Sequence, residues 1–569
     1  MTGPRAAVSE GLRVVPVLAG LARARPGLFL VSGFTVFSHY LLTFLPGLIL
    51  QAFFDDLTGR RQAGLNAYTL VALLAAVAVA RGVQGLMGAT EPILRTATQV
   101  LMRRNILAAV LRRPAAQALP ASPGEAIGRM RDDVLAVSQA LTYAMDPLGM
   151  VVTVVTALVT LARVSALVTL VVVLPSLAAM VIVNMLRRRI ATVRAAAQQT
   201  GANVTGMISE TFAAFATVKG SHAEERVSAR FTDLCSIRLR AVHRDVVLSQ
   251  VIDSLAANLS TVAVGCILVL VPLTQHQGSF TVGDFALFVS YLTALAQVTS
   301  YIGQYTRIYR QLVVSLRRLE PLLTGTPASA LVEAHSLKPL DPDRDQIDAS
   351  GLPMRHISVR GLTAVHAGGG GVHDVDLDIA PGTFTVVTGR VGAGKTTLLR
   401  ALLGLLPAQS GEIRWNGEIV ERPDEWMVPP RCAFTPQVPR LFTATVEENI
   451  LMGMAGGGEL AAASARTAVM EQDIERLEQG LVTAVGPRGV RLSGGQLQRV
   501  AAARMIARDA ALMVFDDLSS ALDTVTEAEL WRRLREDHPR ATFLAVSHRP
   551  AVLQLADEIV RLDRGRRVD

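Results

Sequence analysis

The sequence predicts two unlike halves. The first is an α-helical membrane half with six transmembrane helices and long cytoplasmic extensions; the second is an α/β half built on a mostly parallel sheet. Three observations predict this. The 569-residue chain is 50% hydrophobic with a mean hydropathy of +0.37, yet 18% of it is charged, too apolar for a soluble protein of this size and too charged for one wholly inside a membrane. Apolar stretches of about 20 residues, the length that crosses a bilayer, fall in the first part of the chain. In the last part, short apolar strand-like runs alternate with helical patterns.

The apolar stretches are Leu28–Phe54, Leu65–Gly88, Leu141–Leu161, Leu167–Leu186, Val246–Leu273 and Phe285–Ile308. Short loops, "DDLTGRRQAG", "ARVSA" and "TQHQGSFTVGD", join them in pairs. Between the pairs lie long arginine-rich segments such as "MLRRRIATVRAAAQQT" and "VSARFTDLCSIRLRAVHRD". The arginine excess places these segments and both termini in the cytoplasm of a cell membrane. They carry helical periodicity without turn clusters, so the spans continue as helices below the membrane. The net charge of +8 has the same origin, which excludes a nucleic-acid partner. The first stretch lacks a short apolar core with a small-residue cleavage site and reads as a retained span, not a signal peptide.

Polar residues inside spans are costly and face a cavity or a neighbouring helix. Gln297, Tyr301, Gln304 and Tyr305 recur at helical steps on one face of the last span, and Arg81, Asp146 and Asp253 are charges at or inside span ends. Interhelical bonding or snorkelling accounts for such residues equally well. Cys235, Cys266 and Cys432 have no metal-ligand spacing and read as reduced thiols. Residues 1–322 are thus a transmembrane domain. Residues 323–353, without periodicity, are a linker, and residues 354–569 are the α/β domain, in which "FTVVTG", "CAFTPQ", "ALMVFDD" and "TFLAVSH" are the strands.

"GRVGAGKTT", Gly389–Thr397, lies between the strand "FTVVT" and the helix "TTLLRALLGLL", the setting of a phosphate-binding loop. Gly389, Gly392 and Gly394 let backbone N–H groups wrap phosphate oxygens, and the helix start carrying Thr397 adds positive potential. Lys395 reaches the β- and γ-phosphates of ATP, while Thr396 ligates Mg²⁺. Asp516 ends the strand "ALMVF" as the acid that holds Mg²⁺ through its shell. In "LSGGQ", Leu492–Gln496, Ser493 and the backbone of Gly494, Gly495 and Gln496 can cap a γ-phosphate from outside at a helix start.

With these motifs in this order, the chain resembles half of an ABC transporter of the exporter type: six spans, then one ABC nucleotide-binding domain. The resemblance covers nearly the whole chain. It implies that Gln437 is the Q-loop glutamine, which touches Mg²⁺ and the attacking water. It implies further that Ser520–Asp523 is the loop crossing a dimer interface, that His548 contacts the γ-phosphate, and that His366 stacks on the adenine. It puts cytoplasmic elbows near Arg112–Pro120 and Ser209–Gly220. In "VTAVGPRG", Val482–Gly489, Pro487 stands where the family carries a glutamate that meets the partner's helices.

Asp517 stands where the family has a glutamate that polarises the attacking water. Aspartate is one methylene shorter, and a general base acts only within hydrogen-bonding reach. Because such sites are shared between two subunits, the resemblance implies a heterodimer with a second ABC half-transporter. In it, this chain's own ATP site is slow and its intact "LSGGQ" completes the partner's. The expected activity is ATP-driven export of an amphiphilic, lipid-like or peptide-like substrate from the bilayer. An importer on the same frame and a competent homodimer satisfy the same motifs.

Overall fold

A computed structural model describes residues 12–59, 67–113, 123–274, 280–334, 354–366, 368–486, 490–518 and 522–568; several side chains within the long helices between 166 and 319 lie outside the description. The chain divides into two compact units, Met1–Ala109 with Ala121–His335, and Val110–Pro120 with Ser336–Asp569.

The first unit is helical. It begins with α1 (Val14–Ala24), then α2 (Pro26–Leu42) and α3 (Leu45–Leu57), which together hold the first expected span. The break between α2 and α3 precedes Pro46, which has no N–H to offer the Leu42 carbonyl. The second expected span is α4 (Ala67–Met87), prolonged by α5 (Thr90–Leu111). Next come α6 (Pro123–Gly128), a π-helical turn at Arg129–Asp133, α7 (Val134–Thr142) and a 3₁₀ turn at Tyr143–Met145. The third span, expected from Leu141, takes its uninterrupted form only in α8 (Asp146–Val164), because Pro147 favours a fresh helix start.

Three long helical segments follow: α9 (Ala166–Ala213), α11 (Glu224–Thr274) after the short α10 (Phe215–Gly220), and α12 (Val282–Leu319). Forty-eight residues of α9 rise about 72 Å at 1.5 Å each, more than twice a hydrocarbon core of about 30 Å. The expected extension of the spans beyond the membrane is therefore present. Among the described residues, three stretches are long and apolar enough to cross a membrane: Pro26–Leu57, Ala67–Leu111 and Gly124–Val164. The fourth, fifth and sixth expected spans fall on α9, α11 and α12, where side chains are described only in part.

Glycines set the closest helix contacts. A Cβ on Gly47 would lie 2.8 Å from the Tyr291 ring, and one on Gly149 would overlap the Tyr40 ring. Thr281 and Asp284 cap α12 reciprocally, and Gln51 donates to the Asp284 carboxylate at 2.7 Å. The stretch read as linker opens with order: 3₁₀ turns at Glu320–Leu323 and Ala328–Val332 bury Leu322, Leu323 and Leu331. The Asn105 amide holds this segment by donating to the carbonyls of Leu331 (3.1 Å) and Glu333 (2.9 Å). Three leucines spaced without helical or strand period gave no sequence signal. The elbow expected at Ser209–Gly220 is the α9–α10 turn, with Phe212 and Phe215 exposed; most of Arg112–Pro120 lies outside the described residues.

The second unit runs β1 (Ile357–Val365), β2 (Gly371–Ile379), β3 (Phe384–Gly389), α13 (Lys395–Leu402), β4 (Ser410–Trp415), β5 (Glu418–Ile419), α14 (Pro423–Trp426) and β6 (Cys432–Thr435). It continues through β7 (Ala444–Thr445), α15 (Val446–Leu451), α16 (Gly457–Thr467), α17 (Glu471–Glu475), β8 (Ala484–Val485) and α18 (Gly494–Ile506). The last elements are β9 (Leu512–Asp516), α19 (Thr524–Asp537), β10 (Thr542–Val546), α20 (Pro550–Leu555), β11 (Glu558–Asp563) and β12 (Arg566–Val568). All four expected strands, β3, β6, β9 and β10, lie in one six-stranded sheet of order β12-β11-β3-β10-β9-β6. β6, β9, β10, β3 and β11 pair in parallel, and β9 and β10 are buried along their whole length, which is why they read as unbroken apolar runs. A second sheet, β2-β1-β4-β5, is antiparallel and was not expected. Phe384, Phe515 and Trp531 stack in the core with ring centroids 4.7 and 4.9 Å apart. Cys432 is among the buried side chains, and burial pushes its thiol pKa up, so it is an inert core residue.

Candidate functional site

The six-stranded sheet aligns its chemistry by register. Val546 pairs with Val387 on one side and with Asp516 on the other, so the loop after β3, the end of β9 and the loop after β10 leave the sheet at one edge. Carboxyl ends of parallel strands are where an α/β sheet receives ligands.

Glycine is required in the loop after β3. Gly389 has φ +150° and a Cβ there would overlap the Leu562 carbonyl; Gly394 has φ +96° and its Cβ would lie 2.7 Å from the Gly371 carbonyl. Gly392, φ +82°, turns the loop between them. Gly394 precedes α13 without a side-chain cap, leaving the first-turn N–H groups of α13 directed at the loop. The Lys395 ammonium donates to the carbonyls of Gly389 (2.8 Å) and Arg390 (2.9 Å), arching over it. Thr396 donates to Asp516 Oδ1 at 2.9 Å, and Thr397 Oγ1 lies 3.2 Å from His366 Nε2. His366, at the end of β1, is thus tied to the first turn of α13.

Asp516 is buried, and that burial raises its carboxyl pKa against the opposing bond from Thr396. Its Oδ2 is buried with no hydrogen-bond partner among the described residues. Asp517 has φ +51°, a left-handed conformation that aspartate tolerates better than most residues. Gln437 donates to Asp517 Oδ2 at 3.1 Å, while the Gln437 carbonyl accepts from Gln498 at 3.3 Å. His548 is exposed in the loop after β10.

Ser493 caps α18, its hydroxyl accepting from Gln496 N–H at 3.3 Å and its own N–H donating to Gln496 Oε1 at 2.8 Å. The Gln496 amide donates to Asp473 at 2.9 Å, and Arg499 pairs with the same aspartate at 2.8 Å. Among the described residues no hydrogen bond joins Ser493, Gly494, Gly495 or Gln496 to Gly389–Thr397; the two groups stand on separate elements of the unit. Asp523 caps α19 with bonds to the N–H groups of Val525 and Thr526, while Ser520, Ala521 and Pro487 lie outside the described residues.

Sequence reading missed the supports. Asp473 and Arg499 brace the start of α18, and Gln498 joins that helix to Gln437. Arg549 donates to the Leu522 carbonyl (2.9 Å) and to Glu527 (2.7 Å), joining the segment after β9 to the segment after β10. The available signal was a buried polar residue: Gln498 and Glu527 sit on core-facing helix positions where apolar side chains belong.

Oxygens of Thr396 and Asp516 meet at 2.9 Å, Gln437 is bonded to the adjacent Asp517, and no cluster of three or more His, Cys, Asp or Glu forms among the described residues. That set suits a hard cation sharing its shell with phosphate and water.

Residues 28–298 match the ABC transporter transmembrane region, and residues 372–520 match the ABC transporter family of domains. The chain is 27% identical over 470 residues to a multidrug efflux ATP-binding/permease protein of Mycobacterium tuberculosis, covering 82% of this chain and 38% of that one. It is 26% identical over 396 residues to an ATP-dependent lipid A-core flippase of Xanthomonas campestris, covering 68% of this chain and 64% of that one. These matches therefore span less than two thirds of either relative. A solved bacterial Atm1-family ABC exporter with ATP bound superposes with a TM-score of 0.72 at 21% identity, covering 97% of this chain and 95% of the other. Residues 28–298 are thus similar to the ABC transporter transmembrane region and residues 372–520 to the ABC transporter domain, and the chain has the fold of a solved ABC exporter.

Proposed function

We propose that this chain is the weakly hydrolytic half of an ATP-driven exporter in a cell membrane. It binds ATP at its own phosphate loop and lends its "LSGGQ" segment to the site of a second ABC half-transporter. The observation that carries this reading is Asp517. Its short carboxylate is held by the Gln437 amide at 3.1 Å beside a complete phosphate loop. A base withdrawn from the attacking water forfeits part of the roughly 10²–10⁴-fold that general-base catalysis supplies.

In this reading Lys395 leaves the Gly389 and Arg390 carbonyls for the β- and γ-phosphates, and the free N–H groups of α13 meet phosphate oxygens. Thr396, Asp516 and Gln437 hold Mg²⁺, which neutralises phosphate charge. The orphaned Asp516 Oδ2 is the acceptor that this ion or its water would use. His548 orients toward the γ-phosphate, and His366 lies beside the nucleotide. Ser493 with the Gly494, Gly495 and Gln496 backbone faces the partner's γ-phosphate. ATP-driven closure moves the helices only if nucleotide binds one arrangement more tightly. The cargo is an amphiphile, lipid-like or peptide-like; the names of the multidrug and lipid A-core relatives point the same way.

The test is phosphate release by the full chain reconstituted in liposomes, alone and with a partner whose catalytic glutamate is replaced by glutamine. Slow release from the native chain, and a rise of about tenfold or more in Asp517→Glu, is the expected result. Fast turnover with Asp517 in the silenced pair would falsify the slow-site reading and favour a competent homodimer. Direction is read in inside-out vesicles, where lumenal accumulation on ATP addition marks an exporter and depletion an importer.

A further inference from the structure

The carboxylate of Asp146 stands at the start of α8, half-buried, about 27 Å from that helix's far end at Val164 by a rise of 1.5 Å per residue. It lies within the apolar stretch Gly124–Val164, long enough to cross a membrane. The Tyr40 hydroxyl donates to it at 3.2 Å. Among the described residues no lysine or arginine forms an ion pair with it, and the charged side chain whose field reaches it is another carboxylate, Glu91, itself paired with Arg95 at 2.6 Å. A carboxylate without a cationic partner in an apolar stretch is costly and is retained where it has a use.

The surroundings suit a positive charge carried on an apolar body. Tyr301 adjoins Tyr40, and Tyr143, in the turn just before α8, accepts from Gln304 at 3.2 Å. Aromatic faces attract cations as well as apolar groups. Val36, Met150, Val154 and Val298 form an apolar cluster with Tyr40. Gly149 is what seats the Tyr40 ring on α8, since any Cβ there would overlap it. Carboxylate, aromatic edge and aliphatic wall therefore adjoin one another through Tyr40.

We propose that Asp146, with Tyr40, Tyr143, Tyr301 and Gln304, recognises the positively charged group of a lipophilic cation carried by this transporter. The inference rests on the export reading above and names its substrate class. Tyr40 is a positioning residue that aims the carboxylate; Asp146 makes the ionic contact.

The experiment measures equilibrium binding of tetraphenylphosphonium to the full chain in lipid nanodiscs without nucleotide, with neutral triphenylphosphine oxide as the control. Asp146→Asn should weaken the cation by about tenfold or more, and Asp146→Glu should return it to within about threefold of native. The neutral probe should bind all three forms alike, which also reports an intact fold. Equal cation affinity in the native chain and Asp146→Asn overturns the assignment, as does the absence of saturable cation binding to the native chain. Parallel loss of both probes in Asp146→Asn overturns it too, since the carboxylate would then be serving the fold. No nucleotide is present, so a failure of the slow-site reading in the hydrolysis assay leaves this result standing.

Discussion

The two units keep their chemistry in different ways. In the α/β unit, function is placed by backbone: three glycines with positive φ, an uncapped helix start, and a register that levels Val387, Val546 and Asp516. In the helical unit it is placed by side-chain packing between helices far apart in sequence, as where Tyr40 crosses Gly149 to reach Asp146, 106 residues away. A backbone device must use a short contiguous motif and so announces itself. A packing device scatters its residues, and each alone looks like an ordinary helix position.

A matched pair of substitutions puts the comparison under the greatest strain. Gly394→Ala forces φ +96° on a residue with a Cβ and drives it toward the Gly371 carbonyl. Nucleotide binding should fall by roughly a hundredfold or more with the helical unit intact. Gly149→Ala should leave nucleotide affinity unchanged and destabilise the helical unit by about 1–3 kcal/mol through overpacking against Tyr40. Fluorescent-nucleotide binding and thermal unfolding of the two variants decide it; a shared phenotype would erase the distinction between the units.

The next largest effect concerns Ser493. Ser493→Arg places a bulky cation at the start of α18, where the proposed partner's γ-phosphate would approach, and on that proposal should cut hydrolysis by the pair by roughly a hundredfold. Asp517→Asn should cost less if, as proposed, its own site is the slow one. Steady-state phosphate release from the two variants ranks them, and the reverse order would exchange the slow and fast sites. Ser493→Ala, which removes only a cap, should cost about 1 kcal/mol of stability.

The smallest effect is a stability change at Asp516. Burial raises its folded pKa, so the folded chain holds this proton to higher pH than the unfolded chain does. Stability therefore falls as pH rises from the ordinary aspartate range through the raised folded value, and remains lower above it. Asp516→Asn removes that penalty. The nucleotide-free domain should unfold at a slightly higher temperature at neutral pH, while the added stability given by ATP with Mg²⁺ disappears. A lower unfolding temperature in the nucleotide-free variant would show that the bond from Thr396 outweighs burial.

Much of the α/β unit was legible in advance. The four expected strands are present because each is a short apolar run, and bonds join Thr396 to Asp516 and Gln437 to Asp517 across separate motifs. The antiparallel sheet was missed because β1 and β2 carry no run that distinguishes antiparallel from parallel pairing. Asp473 and Arg499 were missed because charged residues on helices ordinarily face water, and Arg549, in the loop before α20, because a loop arginine ordinarily does too. In the helical unit the long apolar stretches were legible, but the breaks at Thr43–Phe44 and Tyr143–Met145 and the folded turns after Glu320 were not.

The sequence by itself determined the chemistry available, since hydrophobic period and glycine spacing are local properties that survive without a fold. Tertiary structure alone decided which groups share a bond. Gln437 meets Asp517 across 80 residues, Arg549 meets Leu522 across 27, and Tyr40 meets Asp146 across 106. Such pairs depend on register between strands and on which helix face packs inward. Those are set by the sum of many weak contacts over the whole unit, and no short segment encodes that sum.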